Sequence, residues 1–272
     1  MWRRTILLFI HVYALPLGAS AHDTWLLPMK FRVKPEERVT LSLTSGMAFP
    51  ANEYAIQPER VARASMTLSD EKTILSQYVQ TQRSLELSVM PPHVGVATIS
   101  IEIYPRTITL QPNSVRAYLK EIGGPDSLQA VWRNVTASDI TKRWRERYTK
   151  YAKTFLFVGV ESLYCRDSSW KTPCGMMLEI LPETHPGKLR AGMVLPVRVV
   201  FQGQPLVHFP IGCLNEGERH GRLVRTDAEG RAQFCLRRAG RYLLRGTLLQ
   251  KAQSSDIDWE SYFTTLTVQV RR

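Results

Sequence analysis

The residue with the most distinctive chemistry in this chain is His22, in the stretch Leu17-Gly18-Ala19-Ser20-Ala21-His22-Asp23-Thr24-Trp25. Ala19-Ser20-Ala21 has the small-x-small form a signal peptidase reads. It closes an apolar run over residues 6–17 that follows Arg3-Arg4. Cleavage after Ala21 makes His22 the first residue of the mature protein. An N-terminal histidine offers its α-amine and its Nδ1 to one metal ion, a chelate no internal histidine forms alone. Such a chelate suits borderline ions: Ni²⁺, Co²⁺, Cu²⁺ or Zn²⁺.

Other ligand-bearing residues are sparse. Asp256, Asp258 and Glu260 stand at alternate positions, so on a strand they point the same way and supply hard oxygen ligands, or they form an acidic loop before the last strand. His93 follows Pro91-Pro92 and His185 precedes Pro186-Gly187, which places both on loops. His208 lies in an apolar stretch and reads as a core histidine; His220 completes the mature set. The candidate metal ligands are therefore His22, His208, Asp258 and Glu260. No Gly-x-Ser-x-Gly, His-Glu-x-x-His or Gly-x-x-x-x-Gly-Lys occurs. A copper oxidase built on His22 needs a second, facing histidine, which the spacing does not supply. The reading is non-enzymatic.

Four cysteines in an exported chain suggest two disulfides. Three pairings are open. The local one, Cys165–Cys174 with Cys213–Cys235, is preferred over a thiolate metal site because no close Cys-x-x-Cys pair is present.

The formal net charge is +12, and still +10 without Arg3 and Arg4. Zinc-finger spacing and recognition-helix patterns are absent, so this excess reads as a solvated surface beside anionic envelope components, with no nucleic-acid role. Hydrophobic content is 44 % and mean hydropathy −0.19, as expected of a globular body. No stretch reaches the roughly 20 apolar residues of a membrane-spanning helix. The chain is expected in the periplasm, not across a membrane.

The elements that must position these residues are mostly strands. Val39, Leu41 and Leu43 alternate with polar residues, as do Leu85, Leu87 and Val89, and Ile99, Ile101 and Ile103. Residues 22–111 thus form an N-terminal β domain after the signal at 1–21. Ser114 opens a short helix with Val115, Leu119 and Ile122 on one face, stopped by Gly123-Gly124-Pro125. Ser138 opens a second, basic helix with Ile140, Trp144, Tyr148 and Tyr151 as its stripe, so 112–154 reads as a helical connector. From Phe155, strands return around Val197, Val199 and Phe201, around Ala232, Phe234 and Leu236, and around Leu266, Val268 and Val270. Thr226-Asp227-Ala228-Glu229-Gly230 supplies a turn. The expected fold is mainly β: two β-sandwich units of immunoglobulin or transthyretin-like form, joined by a short helical segment, with the second at 155–272.

Several segments, in order, are similar to a bacterial periplasmic family of undefined function. It is a domain of unknown function once labelled the nickel-uptake substrate-specific region. They are Ala21-His22-Asp23-Thr24-Trp25-Leu26-Leu27-Pro28, Tyr118-Leu119-Lys120-Glu121-Ile122-Gly123, the stretches 145–154 and 175–182, Gly203-Gln204-Pro205-Leu206, the stretch 226–232, and Asp258-Trp259-Glu260-Ser261. The resemblance implies a β-rich periplasmic protein with a mature N-terminal histidine and an association with transition-metal uptake. One departure is visible. Many relatives resemble Arg-Ala-Val-His-Met where this chain has Arg245-Gly246-Thr247-Leu248-Leu249, so a family histidine is missing at Leu248.

Together these readings give an expected function: binding of nickel or cobalt as an accessory to uptake, with an envelope transporter as partner. The alternative is a metal-free envelope module that binds a protein or glycan through its loops, with the basic helix as its contact surface.

Overall fold

The computed structural model describes residues 22–218 and 221–272; the stretch read as a signal sequence with its cleavage triplet, and His220, lie outside the described residues. The chain is mainly β. Its first half runs β1 (Asp23–Pro28), β2 (Arg32–Val33), β3 (Val39–Gly46), β4 (Tyr54–Ala55), β5 (Val61–Leu68), β6 (Glu71–Ile74), β7 (Tyr78–Gln80), β8 (Leu85–Val89) and the long β9 (Gly95–Leu110). Two helices follow, α1 (Pro112–Glu121) and α2 (Asp126–Ser138), then β10 (Trp144–Val158) and the single turn α3 (Glu161–Tyr164). The second half runs β11 (Leu178–Pro182), β12 (Val194–Phe201), β13 (Gln204–Pro205), β14 (Pro210–Asn215), β15 (Arg222–Arg225), β16 (Arg231–Cys235), β17 (Gly240–Lys251) and β18 (Trp259–Val270).

Three sheets result. A nine-stranded sheet has the order β15-β14-β17-β18-β10-β9-β5-β6, with β2 pairing β10. A five-stranded sheet, β1-β3-β8-β7 with β4 on β3, covers one face; a four-stranded sheet, β11-β12-β13 with β16 on β12, covers the other. β10 lies between them and shows why. Ala152, Leu156 and Val158 pack with Leu41, Leu43, Leu85 and Leu87 on one side. Tyr151, Phe155 and Phe157 pack with Leu178, Ile180, Val197 and Val199 on the other. Alternate residues of one strand therefore feed two cores, and the second half of β10 is buried on both faces.

The two sandwiches expected from the sequence exist as two cores, but their connection differs from the expected one. They share the nine-stranded sheet. The helical reading of the stretch from Ser138 through Tyr151 is overturned: residues from Trp144 onward form β10, which pairs antiparallel with β9 from Trp144↔Leu110 to Val158↔Gly95 and parallel with β18. The apparent helical stripe of Trp144, Tyr148 and Tyr151 arose because β10 is covered first on one face, where Trp144 and Tyr148 meet the aromatic cluster, and then on the other, where Tyr151 packs toward the four-stranded sheet, a change of covered face that mimics a helical period. The basic surface helix goes with it, since Arg145 and Arg147 project from a strand. The connector at 112–154 accordingly contracts to α1 and α2, which sit at the tip of the β9–β10 hairpin.

The first helix forms where expected, but it opens at Pro112 after Gln111, so Ser114 lies inside its first turn and is not its cap. Pro112 occupies its first turn, where a missing N–H costs nothing. Val115, Tyr118 and Leu119 face inward, and Gly123 takes φ +66 beyond the end. Asp126 in the first turn of α2 suits the helix dipole. Both helices close over an aromatic cluster in which Trp132 meets Trp144 edge-on at 5.2 Å and Trp144 stacks on Trp259 at 4.7 Å.

The four cysteines are free thiols in the structure, so neither Cys165–Cys174 nor Cys213–Cys235 is bridged. The Cys174 amide bonds the Glu179 carboxylate at 3.0 Å, which turns this residue toward the interior, whereas Cys165 follows α3. Cys213 on β14 and Cys235 at the end of β16 line one cavity of about 210 Å³.

Candidate functional site

His22 stands immediately before β1, whose register with β3 pairs Asp23 with Gly46. A side chain at Gly46 has no room: its Cβ would come within 2.9 Å of the Trp25 ring and closer still to the Glu53 carboxylate. That close approach lets Glu53 accept from the amides of Met47 and Ala48 at 2.8 and 2.6 Å, which fixes the loop leading to Tyr54. The Tyr54 ring in turn stacks on the His22 imidazole, 5.1 Å between centroids and 7° between planes. On the far side Lys150 Nζ donates to the His22 carbonyl at 2.7 Å. Asp23 is tied to Arg245, which also lies 3.3 Å from Glu121 at the end of α1. Strand, loop and helix thus converge on the residue the sequence singles out.

Beside His22 opens a cavity of about 520 Å³. It exists because the sheet is irregular here. β5 carries an extra residue where its pairing passes from Ile103 to Glu102, and β9 carries one at Tyr104-Pro105, opposite the step from Tyr148 to Lys150 of β10. Bulges re-aim side chains; Tyr148, Lys150, Arg106 and Arg60 all line the opening with His22 and Glu59. Lys150 is half-buried, with its ammonium 5.4 Å from the ring centroids of both Tyr148 and Phe263.

The electrostatics follow from this packing. Burial and the neighbouring Lys150 charge push the His22 imidazole below its usual range, with Glu53 and Asp23 pulling weakly the other way. The ring is therefore neutral at neutral pH, the form in which a histidine nitrogen binds a metal. Burial lowers Lys150 to about 8, with Asp23 opposing and Arg60 assisting.

The remaining candidates are not brought to His22. Asp258 accepts from Arg145, both from its backbone amide and from its guanidinium at 3.0 Å, and that guanidinium holds its carboxyl low. Glu260 pairs with Arg147. The acidic alternation is thus answered by the matching arginine alternation on β10, one strand away in parallel register. His208 is not a core residue: it is exposed in a turn between β13 and β14 at φ +56, where it lines a separate cavity of about 160 Å³ together with Leu248. Among the described residues no group of three or more His, Cys, Asp or Glu is placed to hold a metal. His93 is in a bend and His185 on a loop, as read; His185 Nδ1 accepts from the Gly187 amide, an N-cap role.

Sequence reasoning missed Tyr54, Arg60 and Arg106 altogether. Lys150 was visible only as one charge of a supposed helix. Their common signal is the pair of bulges, and no local residue pattern marks a bulge without knowledge of the strand opposite.

Fold and site together define a mainly β protein of shared-sheet sandwich form, with a polar cleft at the head of its first strand. No helix among the described residues is long and apolar enough to cross a membrane. The chain belongs to the family described as a domain of unknown function (DUF4198), whose model matches residues 19–248. No curated protein matches the sequence. Solved structures align over most of the chain at low identity. One is the D0-D1 domain of intimin, with 11 % identity, 91 % of this chain and 97 % of that chain covered, and a TM-score of 0.24. Another is the Escherichia coli adhesin FdeC, with 12 % identity, 93 % and 65 % covered, and a TM-score of 0.24. At these scores the likeness says nothing of ligand or partner.

Proposed function

We propose that this chain is an exported, non-enzymatic binding protein for a divalent transition-metal ion, nickel or cobalt, acting as an accessory to an envelope uptake system. The observation that carries the reading is the setting of His22: imidazole neutral, ring seated on Tyr54, carbonyl pinned by Lys150, at the wall of a cavity. After removal of residues 1–21, the α-amine and Nδ1 of one residue chelate the ion. An immobilised His22 loses less freedom on binding than a terminal residue swinging in solvent. Periplasmic location and a transporter partner belong to the same proposal and rest on the leader-like sequence and the family resemblance.

The test compares the processed chain, beginning at His22, with the same chain carrying one extra residue before it. The extension keeps the imidazole and removes the amine chelate. Calorimetric titration with Ni²⁺ and Co²⁺ is expected to show at least ten-fold weaker binding for the extended chain. Equal affinity for both chains, or none for either, overturns the reading.

A further inference from the structure

The charges that line the cavity beside His22 do not cancel. Arg60, Arg106 and Lys150 face it against a single carboxylate, Glu59. Neither arginine forms an ion pair among the described residues, and Arg60 and Lys150 lie near enough for their charges to repel. Like charges are held together at a cost, and a cleft walled by one sign of charge concentrates the opposite sign within it. The interior of the cleft therefore repels cations and attracts anions, whatever His22 holds at its wall.

The donors on this wall are only partly used. Lys150 Nζ gives one of its three N–H groups to the His22 carbonyl at 2.7 Å. Arg60 donates from Nη2 to the Tyr104 carbonyl at 2.6 Å and its Nε is buried, which leaves Nη1 without a partner among the described residues. Arg106 is exposed, and its guanidinium has no hydrogen-bond partner among the described residues. The bond to Tyr104 holds one guanidinium in place beforehand, so less freedom is lost when an oxygen arrives. Much of the remaining wall is apolar: Ile56, Ile103 and Pro105, with the Tyr148 ring. A volume of about 520 Å³ falls in the range of small-molecule pockets and is far more than an inorganic ion fills.

We propose that the cleft is a binding site for a small organic dianion, its charged oxygens on Lys150 Nζ, Arg60 Nη1 and the Arg106 guanidinium, its carbon body against Ile56, Ile103 and Tyr148. The double charge follows from the lining, where three cations meet one carboxylate. Carboxylate and phosphate oxygens both accept charge-assisted hydrogen bonds from guanidinium and ammonium groups. The class is thus dicarboxylates and phosphate monoesters with an apolar or ring-shaped body. The site needs no metal, and it goes beyond the reading of His22 as a chelate without resting on it.

The experiment uses the processed chain, passed over a chelating resin so that no metal takes part, and calorimetry at pH 7 with four probes: phthalate, phenyl phosphate, benzoate and neutral phthalamide. The better of the two dianions is expected to bind at least ten-fold more tightly than benzoate, and phthalamide not at all. Which dianion that is tells a dicarboxylate site from a phosphate-ester site. Arg106→Ala is expected to weaken the dianion about ten-fold, and Arg106→Lys to recover most of the loss. Glu59→Gln, which removes the one opposing charge, is expected to tighten it, an effect that structural damage would not produce. The proposal is overturned if neither dianion binds at millimolar concentration, if benzoate or phthalamide binds as tightly as the better dianion, or if Arg106→Ala leaves its affinity unchanged. Because metal is absent throughout, none of these results bears on the nickel titration, which alone decides the metal reading of His22.

Discussion

Lys153 Nζ lies 2.7 Å from Glu179 Oε1, and each side chain is 1 % exposed. The pair joins β10 of the central sheet to β11 of the four-stranded sheet through an otherwise apolar core. Glu179 also accepts from the Cys174 amide, so its second oxygen is not left bare. Charges removed from water this completely are tolerated only with such full pairing.

Lys153→Met is therefore expected to destabilise the chain by about 3–5 kcal/mol, because Glu179 is left buried and uncompensated. Lys153→Met/Glu179→Leu should recover most of that loss, short of about 1 kcal/mol for the orphaned Cys174 amide. Urea unfolding of the three proteins measures this. A double variant no more stable than the single one would contradict the pairing as the cause.

Glu146 gives a pH dependence with a defined sign. Burial raises its carboxyl above the ordinary value, against the hydrogen bonds from Ser261, Trp144 and Tyr118. A carboxyl raised in the native state contributes its full stability below the unfolded value of 4.5 and loses that contribution as pH rises through the native value. Glu146→Gln cannot titrate. The stability of the parent relative to this variant is thus expected to be greater at pH 4 than at pH 7 in urea unfolding, and a difference of the opposite trend would refute the assignment.

Asp258 and Glu260 are paired with Arg145 and Arg147 on the surface. Asp258→Asn and Glu260→Gln should each change stability by about 1 kcal/mol or less. Nickel affinity of the processed chain should stay within two-fold of the parent by titration. A larger loss would return these residues to the metal site.

The cysteines differ sharply in reactivity. Cys235 is exposed, whereas burial pushes the Cys213 thiol up to about 12. In the reduced, folded protein at pH 8, iodoacetamide is expected to label Cys235 at least ten-fold faster than Cys213, as read by peptide mass spectrometry. Comparable rates would mean that Cys213 is more accessible than its place on β14 implies.

Much of the fold was legible because half-buried strands alternate. β3, β8 and β12 carry inward residues at every second position, and Val39, Leu41, Leu43 and Val197, Val199 are buried where the pattern puts them. β10 was misread for two physical reasons. Its first half does alternate, with Trp144 and Glu146 buried and Arg145 and Arg147 exposed, but one inward residue is a glutamate, which hydropathy patterns count as outward. Its second half is covered on both faces and has no alternation to show. The misreading carried the domain division with it, since a helix cannot be the middle strand of a shared sheet. At the candidate site, chemistry alone singles out His22, and the fold places it on a cavity wall. Asp258 and Glu260 do not join it, because the arginines that engage them lie 113 residues earlier in the chain.

That same interval governs how the molecule comes into being. β10 needs β18 along its edge from Glu146 to Thr154, and 113 residues separate Arg147 from Glu260. At ordinary translation rates the later strand appears roughly 6–23 s after the earlier one. Through that time β9 and β10 can zip together, yet the hairpin's far edge keeps a row of unmet amides and carbonyls. The chain reaches its native form only after Trp259–Val270 has been made.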